Sequence, residues 1–194
     1  MRELTYVVAS TLDGVIAPPD GSDPSAPGGL FDIDGDHLGT LVDEYPELVP
    51  VQARRALGID PPNRTFDTVL EGRGSYDMGL RVGVTNAYPH LRHLVFSRSL
   101  TESPDPTVEL VSGDPVTVVR ELKREPGAGI WLCGGGRLAG ALLPEIDRLV
   151  IKLNPVVAGA GIALFGGAFD PTGFRLVETK AHDSGVLFLT YTRS

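Results

Sequence analysis

Eight short runs dense in Val, Ile, Leu and aromatic residues punctuate the chain: Leu4–Ala9, Thr68–Leu70, His93–Ser97, Val108–Val111, Ile130–Cys133, Leu149–Leu153, Arg175–Glu178 and Val186–Thr192. Gly, Pro, Asp or Ser bounds most of them, which is the signature of strands. Helical patterns fall between several. Pro115–Glu125 starts behind Asp114, a fitting N-cap, and spaces Val118, Val119 and Leu122 on one face. Gly136–Leu143 follows the run ending at Cys133 directly, and His37–Glu44 and Pro50–Leu57 read as two short helices. Strands alternating with helices predict an α/β fold whose central sheet is mostly parallel. The last two runs have no helix between them, so they predict a closing antiparallel hairpin. No repeat and no linker divides residues 1–194, so the chain reads as a single domain.

Composition narrows the class of ligand. A net charge of −8 argues against nucleic acid, whose phosphates select basic faces. One phosphorylated small molecule is still compatible, because a few local cations and backbone N–H groups suffice for it. The single cysteine, Cys133, excludes an intramolecular disulfide, and its apolar run marks it as a buried thiol rather than a nucleophile. His37, His90, His93 and His182 show no metal-ligand spacing with it. Neither a signal peptide nor an 18-residue apolar run is apparent, so a cytoplasmic protein with no membrane partner is expected. Glycine and proline cluster in Pro18–Gly29 and Pro155–Gly173. Loops that long in a compact domain are usually functional.

Three signals carry chemistry, each at the end of a strand-like run. In Cys133-Gly134-Gly135-Gly136-Arg137-Leu138-Ala139 a strand feeds glycines into a helix start. Free N–H groups and the positive helix end then meet at one point, and without Cβ atoms a diphosphate can approach the backbone closely. The spacing Gly134-x-Gly136-x-x-Ala139 also matches the dinucleotide fingerprint of a doubly wound fold. That fold expects an acidic residue about 20 positions on, and Val150–Val157 has none. The chain remaining after the glycines is also too short for it. A tight turn with no ligand is the plainer alternative. The second signal is Gly72-Arg73-Gly74-Ser75-Tyr76, where Arg73 offers a bidentate fork suited to phosphate and Ser75 a hydroxyl. The third, Ser97-Arg98-Ser99, suits a phosphate monoester such as the 2′-phosphate of NADPH. Open α/β sheets bind ligands outside the carboxyl ends of their strands, so the conjunction outweighs any one signal.

Taken in order, Ser10-Thr11-Leu12-Asp13-Gly14-Val15-Ile16-Ala17, Gly72-Arg73-Gly74-Ser75-Tyr76, Phe96-Ser97-Arg98 and Gly134-Gly135-Gly136-Arg137-Leu138 resemble the dihydrofolate reductase superfamily. The branch most similar is the reductase domain of the bifunctional riboflavin-biosynthesis deaminase–reductase (the RibD C-terminal domain) with its free-standing relatives. Asn154 to Phe165 resembles that branch's Pro-Val-x-x-Gly-x-Gly loop. The resemblance implies a three-layer dihydrofolate-reductase-like fold around a mixed sheet of about eight strands. It implies NADPH as cofactor and hydride transfer to a small heterocycle, a riboflavin precursor or a pterin-like compound. Ala9, Ile16 and Ala17 would line the nicotinamide pocket. Gly72, Arg73 and Ser75 would hold cofactor phosphates, and Ser97 and Arg98 the adenosine end. Gly134, Gly135, Gly136, Arg137 and Leu138 would cradle the diphosphate, with a cis Gly134–Gly135 peptide. It also implies a homodimer, for which the apolar Val186–Leu189 offers a sheet edge. A nucleotide-binding module of the same fold without catalysis is the alternative.

The chain departs from the folate-reducing members where their Leu-Pro-Trp segment would stand. It reads Phe31-Asp32-Ile33-Asp34-Gly35-Asp36-His37 there, which weighs against folate. The riboflavin branch often carries Lys after its Asp-Gly pair, and Val15 stands here. Reduction also needs a proton donor. Asp32, Asp34, Asp36 and His37 are the clustered titratable candidates, with Asp36 and His37 as the catalytic pair. A solvated loop with Asp36 as N-cap is the competing reading. Asp13-Gly14 reads as a turn, and Arg54 and Arg55 as possible anchors for an anion.

Overall fold

A computed structural model describes residues 1–31, 34–168 and 170–194. All eight expected runs are strands of one sheet. In chain order the elements are β1 (Leu4–Ser10), β2 (Val15–Ala17), α1 (His37–Glu44), α2 (Val51–Leu57), β3 (Phe66–Gly72), α3 (Arg73–Arg81), β4 (Arg92–Phe96), β5 (Val108–Val111), α4 (Pro115–Leu122), β6 (Gly129–Gly134), α5 (Gly136–Leu142), β7 (Arg148–Leu153), β8 (Ile162–Ala163), β9 (Phe174–Ala181) and β10 (Leu187–Arg193). The sheet runs β5-β4-β3-β6-β1-β7-β10-β9. Its first six strands are parallel; β10 is antiparallel to β7 and to β9. The pattern predicts the mostly parallel α/β sheet, and the resemblance implies its mixed three-layer arrangement.

The parallel strands are covered on both faces, which is why they read as unbroken apolar runs rather than alternating ones. On one face Tyr6, Leu70, Ile130 and Leu132 pack against Val119 and Leu122 of α4 and Leu138, Ala139 and Leu142 of α5. Each aliphatic side chain buried there contributes roughly 1.5–3 kcal/mol. On the other face Val7, Val69, Trp131, Val150 and Phe188 meet Leu41 of α1 together with Leu48 and Tyr88. Tyr76 of α3 covers Val95 and Val108 farther along. Asp114 caps α4 as expected, its carboxylate accepting from Thr117 N at 2.9 Å.

One expectation is corrected at the sheet margin. The Val186–Leu189 segment leads into β10, which is paired on both sides, so it offers no edge. The edge is β9, where Leu176 and Val177 stand exposed. The short antiparallel pair β2–β8 was not expected. Two- and three-residue strands are too brief to leave a period in the sequence.

Candidate functional site

β3, β4 and β6 all stop at the same border of the sheet, and the loops leaving them wall one cleft of about 1440 Å³. Single-ligand pockets usually measure roughly 300–1,000 Å³, so this one has room for two molecules side by side. Every residue expected to hold the cofactor lines it: Ala9, Ile16, Ala17, Gly72, Arg73, Ser75, Ser97, Arg98, Gly134, Gly135, Gly136, Arg137 and Leu138. The Pro18–Gly29 loop contributes Pro19, Asp20, Gly21, Pro24 and Ser25. Arg81 Nη1 ties that loop to α3 through Gly21 O at 3.2 Å.

The glycine turn divides into two parts with different duties. The Gly134–Gly135 peptide is cis. A Cβ on either residue would meet only Ser75 Oγ, at 3.5 Å, so the backbone there is open to the cleft. The first N–H groups of α5 follow at once, without intrahelical acceptors. Gly136 lines the cleft too, but it is glycine for another reason. A Cβ there would lie 2.0 Å from Ala163 O, and one on Gly140 would lie 1.5 Å from Gly166 O. The chain after β8 therefore lies directly on α5, fastened by Gly166 N to Gly136 O at 2.8 Å.

Four guanidinium groups, of Arg73, Arg81, Arg98 and Arg137, line the same region. Arg73 is set by its Nε donating to Asp77 Oδ1 at 2.6 Å, one turn along α3. Ser97 Oγ accepts from Leu100 N at 2.9 Å and Ser99 N at 3.2 Å, so it shapes the turn after β4, and what it still offers a ligand is its hydroxyl hydrogen. Asp13 forms the expected turn. Its carboxylate accepts from Thr11 Oγ1 at 2.6 Å, Gly159 N at 2.7 Å and Ala158 N at 3.1 Å, which pins the 154–161 loop beside the cleft. Those bonds, the Thr11 one foremost, hold its pKa down at about 2.

The other end of the cleft is apolar and aromatic. The registers of β1, β7 and β10 put Ala9, Lys152 and Phe188 on one face, close to that border, and Cys133 of β6 lines the cleft with them. Phe31, Leu41, Leu48, Tyr88 and Trp131 complete the walls. Tyr88 and Trp131 meet edge to face, 4.8 Å between centroids, and Trp131 Nε1 donates to Val7 O at 3.2 Å. Burial pushes the Tyr88 phenol and the Cys133 thiol well above their ordinary values, so both keep their protons. Sequence reading missed Lys152 and these aromatics. The one available signal was a lysine, half-buried in the structure, inside the apolar run Leu149–Leu153.

The expected catalytic pair is placed elsewhere. Neither Asp36 nor His37 lines the cleft. His37 is fully buried, with Nδ1 3.2 Å from Ser184 Oγ. The Asp36 carboxylate accepts from Asp183 N at 2.9 Å and Ser184 N at 3.2 Å, so it caps the turn between β9 and β10. Asp36 does stand at the N-cap position of α1, though without a side-chain capping bond. The backbone bond from Asp183 above all lowers its pKa to about 2. Both residues thus join α1 to the hairpin. Of their companions, Asp34 lies outside the cleft lining and Asp32 lies outside the described residues. Arg54 is a brace: Nε donates to Val49 O at 3.0 Å and Nη2 to Pro46 O at 2.7 Å.

Comparison with known proteins agrees with this architecture. Over all its length the chain is 29% identical to the Bacillus subtilis (strain 168) protein YwjB, covering 99% of it. It is 29% identical to YyaP of the same organism over 65% of the chain and 73% of that protein. A solved Shewanella sp. PV-4 protein described as belonging to riboflavin biosynthesis superposes with TM-score 0.70 at 22% identity, covering 99% of each chain. The diaminohydroxyphosphoribosylaminopyrimidine deaminase/5-amino-6-(5-phosphoribosylamino)uracil reductase of Thermotoga maritima gives TM-score 0.65 at 18% identity. All of the present chain is matched there, against 57% of that larger protein. At these identities the two structures speak for the fold. The family model of the RibD C-terminal domain matches residues 65–188, the stretch holding all three strand-end motifs, and the chain belongs to that family.

Proposed function

We propose that this protein is an NADPH-dependent reductase of a small heterocycle, in the class of pyrimidine riboflavin precursors or pterin-like compounds. One observation carries the reading. The open Gly134–Gly135 backbone, the start of α5 and the side chains of Arg73, Arg98 and Arg137 all border one cleft, whose far end is aromatic. A diphosphate fits the part of the turn that no side chain fills, because glycine lets it approach and the helix start attracts it. Ser97 and Arg98, leaving β4, are set to take a phosphate monoester on the adenosine ribose. Bound there, NADPH supplies the hydride. Ala9, Ile16 and Ala17, which line the cleft, would hold the nicotinamide end. Orientation of this kind is worth roughly 7–11 kcal/mol of a barrier in favourable cases.

NADPH and NADH fluorescence titrations test this. The protein should prefer NADPH, and Arg98→Ala should weaken NADPH by roughly ten- to a hundredfold while changing NADH little, since bonds to charged groups are worth about 1.5–3 kcal/mol. Equal binding of the two by the folded wild-type protein would remove the proposal. Turnover is to be sought with 5-amino-6-(5-phosphoribosylamino)uracil and a dihydropterin. Cofactor binding without turnover of either would favour the non-catalytic module. A homodimer joined through the β9 edge, acting in the cytoplasm where a lone thiol stays reduced, completes the proposal.

A further inference from the structure

Among the described residues, the carboxylic acids that line the cleft are Asp20, on the Pro18–Gly29 loop, and Asp114, at the start of α4. Behind the aromatic end, however, lies a buried polar chain whose hydrogen positions can be deduced. Start at Asp105. Its Oδ1 accepts from Thr107 Oγ1 at 2.6 Å, so the threonine oxygen is left to accept from Asn86 Nδ2 at 3.0 Å. That fixes the amide, whose Oδ1 then accepts from Tyr88 N at 2.9 Å. The same Oδ1 lies 3.0 Å from His93 Nδ1, so Nδ1 must carry a hydrogen. On the other side of the ring, His93 Nε2 is 2.9 Å from Glu71 Oε2. A bare nitrogen facing a bare carboxylate at that distance would be repulsive, so a proton lies between them. It sits on Nε2, giving an ion pair, or on Glu71, giving a neutral pair. Either way the couple holds one proton more than the pair of bases left when it departs.

This store is buried, and among the described residues Cys133 and Tyr88 stand between it and the cleft. His93 is fully buried and Glu71 nearly so. Tyr76 and Tyr88 face the ring edge to face, at 5.9 and 6.0 Å, and both are phenols. Asp105 also acts on it, from beyond Asn86. Toward the cleft, Cys133 precedes Gly134, the β6 partner of Glu71 on β3; its thiol lies against the Glu71 carboxyl and the Tyr88 phenol. Cys133 lines the cleft, whereas Glu71 and His93 do not.

We propose that Glu71 and His93 store the proton consumed in the reduction and that Cys133 hands it into the cleft. The proposal rests on the reductase reading and supplies its acid. As hydride reaches the acceptor carbon, the Cys133 S–H bond breaks toward the neighbouring heteroatom and the stored proton re-forms it from Glu71. Glu71 is left as carboxylate and His93 as neutral imidazole with Nδ1–H. A solvent proton restores the couple once product leaves. No oxidant or reductant beyond NADPH and the acceptor is required.

Two measurements need no turnover. Long-range 1H–15N correlation on histidine-labelled protein should show His93 Nδ1 protonated. Glu71→Gln should shift the Nε2 resonance; where the pair is ionic it should also speed iodoacetamide labelling of Cys133 several-fold, because a carboxylate beside the thiol is gone. A bare Nδ1, or an Nε2 resonance unchanged by Glu71→Gln, overturns the store. With the uracil or dihydropterin as acceptor, Cys133→Ala should lower kcat on the order of a hundredfold, the usual worth of a positioned acid. KM and NADPH affinity should hold, and Cys133→Ser should recover part of the rate. Turnover by Cys133→Ala equal to wild type overturns the delivery route. Failure of the wild-type protein to bind NADPH would sink the reductase reading instead, and the resonance results would still judge the store.

Discussion

At its β3–β4–β6 end the cleft is made of consecutive chain: Gly72 to Ser75, Phe96 to Ser99 and Gly134 to Leu138. At its β1–β7–β10 end it is made of single residues brought from far apart, among them Phe31, Leu41, Leu48, Tyr88, Trp131, Lys152 and Phe188. The first end works through backbone geometry and fixed cations, so a few neighbouring residues determine what it accepts. The second works through shape, and each wall residue can change while the sheet beneath it stays. Such a division suits a protein that keeps one cofactor and varies its substrate. It also implies that glycines a few positions apart fail in opposite ways.

Gly140→Ala should have the largest effect. Its Cβ would be driven into Gly166 O at 1.5 Å, and neither backbone can yield without lifting the chain from α5. The cost should exceed the roughly 1–3 kcal/mol of ordinary overpacking, leaving little folded protein by circular dichroism. A melting temperature like that of wild type would mean the packing of that loop on α5 is wrong. Phe188→Ala, at the aromatic end, should come next at about 3–5 kcal/mol by denaturant melts, since it empties a buried site shared by core and cleft. A loss under about 1 kcal/mol would show that the wall is looser than its burial indicates.

Gly135→Ala sharpens the contrast within the glycine turn. Its Cβ would find Ser75 Oγ at 3.5 Å, an ordinary contact, and its φ of −92° suits any residue. The fold should therefore persist while NADPH affinity falls about tenfold or more, about 1.4 kcal/mol, because the methyl group stands where a diphosphate must approach. Unaltered NADPH binding would move the cofactor off the turn.

The same division decides what could be read in advance. The eight strands and the three strand-end motifs were legible because each is local: apolar runs report buried parallel strands, and Gly-Arg-Gly-Ser or Gly-Gly-Gly reports a turn with no room for side chains. The aromatic end was not, since no window of sequence contains Trp131, Lys152 and Phe188 together. The Glu71–His93 couple escaped notice likewise, as pairing β3 with β4 is what aligns them. Proximity in sequence misled in the opposite direction. Asp32, Asp34, Asp36 and His37 form a titratable cluster on paper, yet the N-terminus of α1 points Asp36 and His37 at the β9–β10 turn rather than at the cleft. The reading of Asp36 as a helix-capping residue was nearer, though what its side chain caps is a hairpin.

Asp36→Asn turns that correction into a small, directional test. The carboxylate accepts two backbone N–H groups and faces His182 Nδ1 at 3.4 Å, so its folded pKa is lowered to about 2. A depressed carboxylate pKa stabilises the fold above the ordinary Asp value, and the contribution is lost as pH falls through the folded value. The group is exposed, so solvent screens the effect and keeps it small. The variant should thus melt slightly below wild type at neutral pH, and the gap should close as pH falls from about 4 toward 2. Turnover and NADPH affinity should not change at any pH where the variant stays folded. A gap that widens in acid would reverse the sign of the capping interaction, and lost turnover at an unchanged melting temperature would return Asp36 to the reaction.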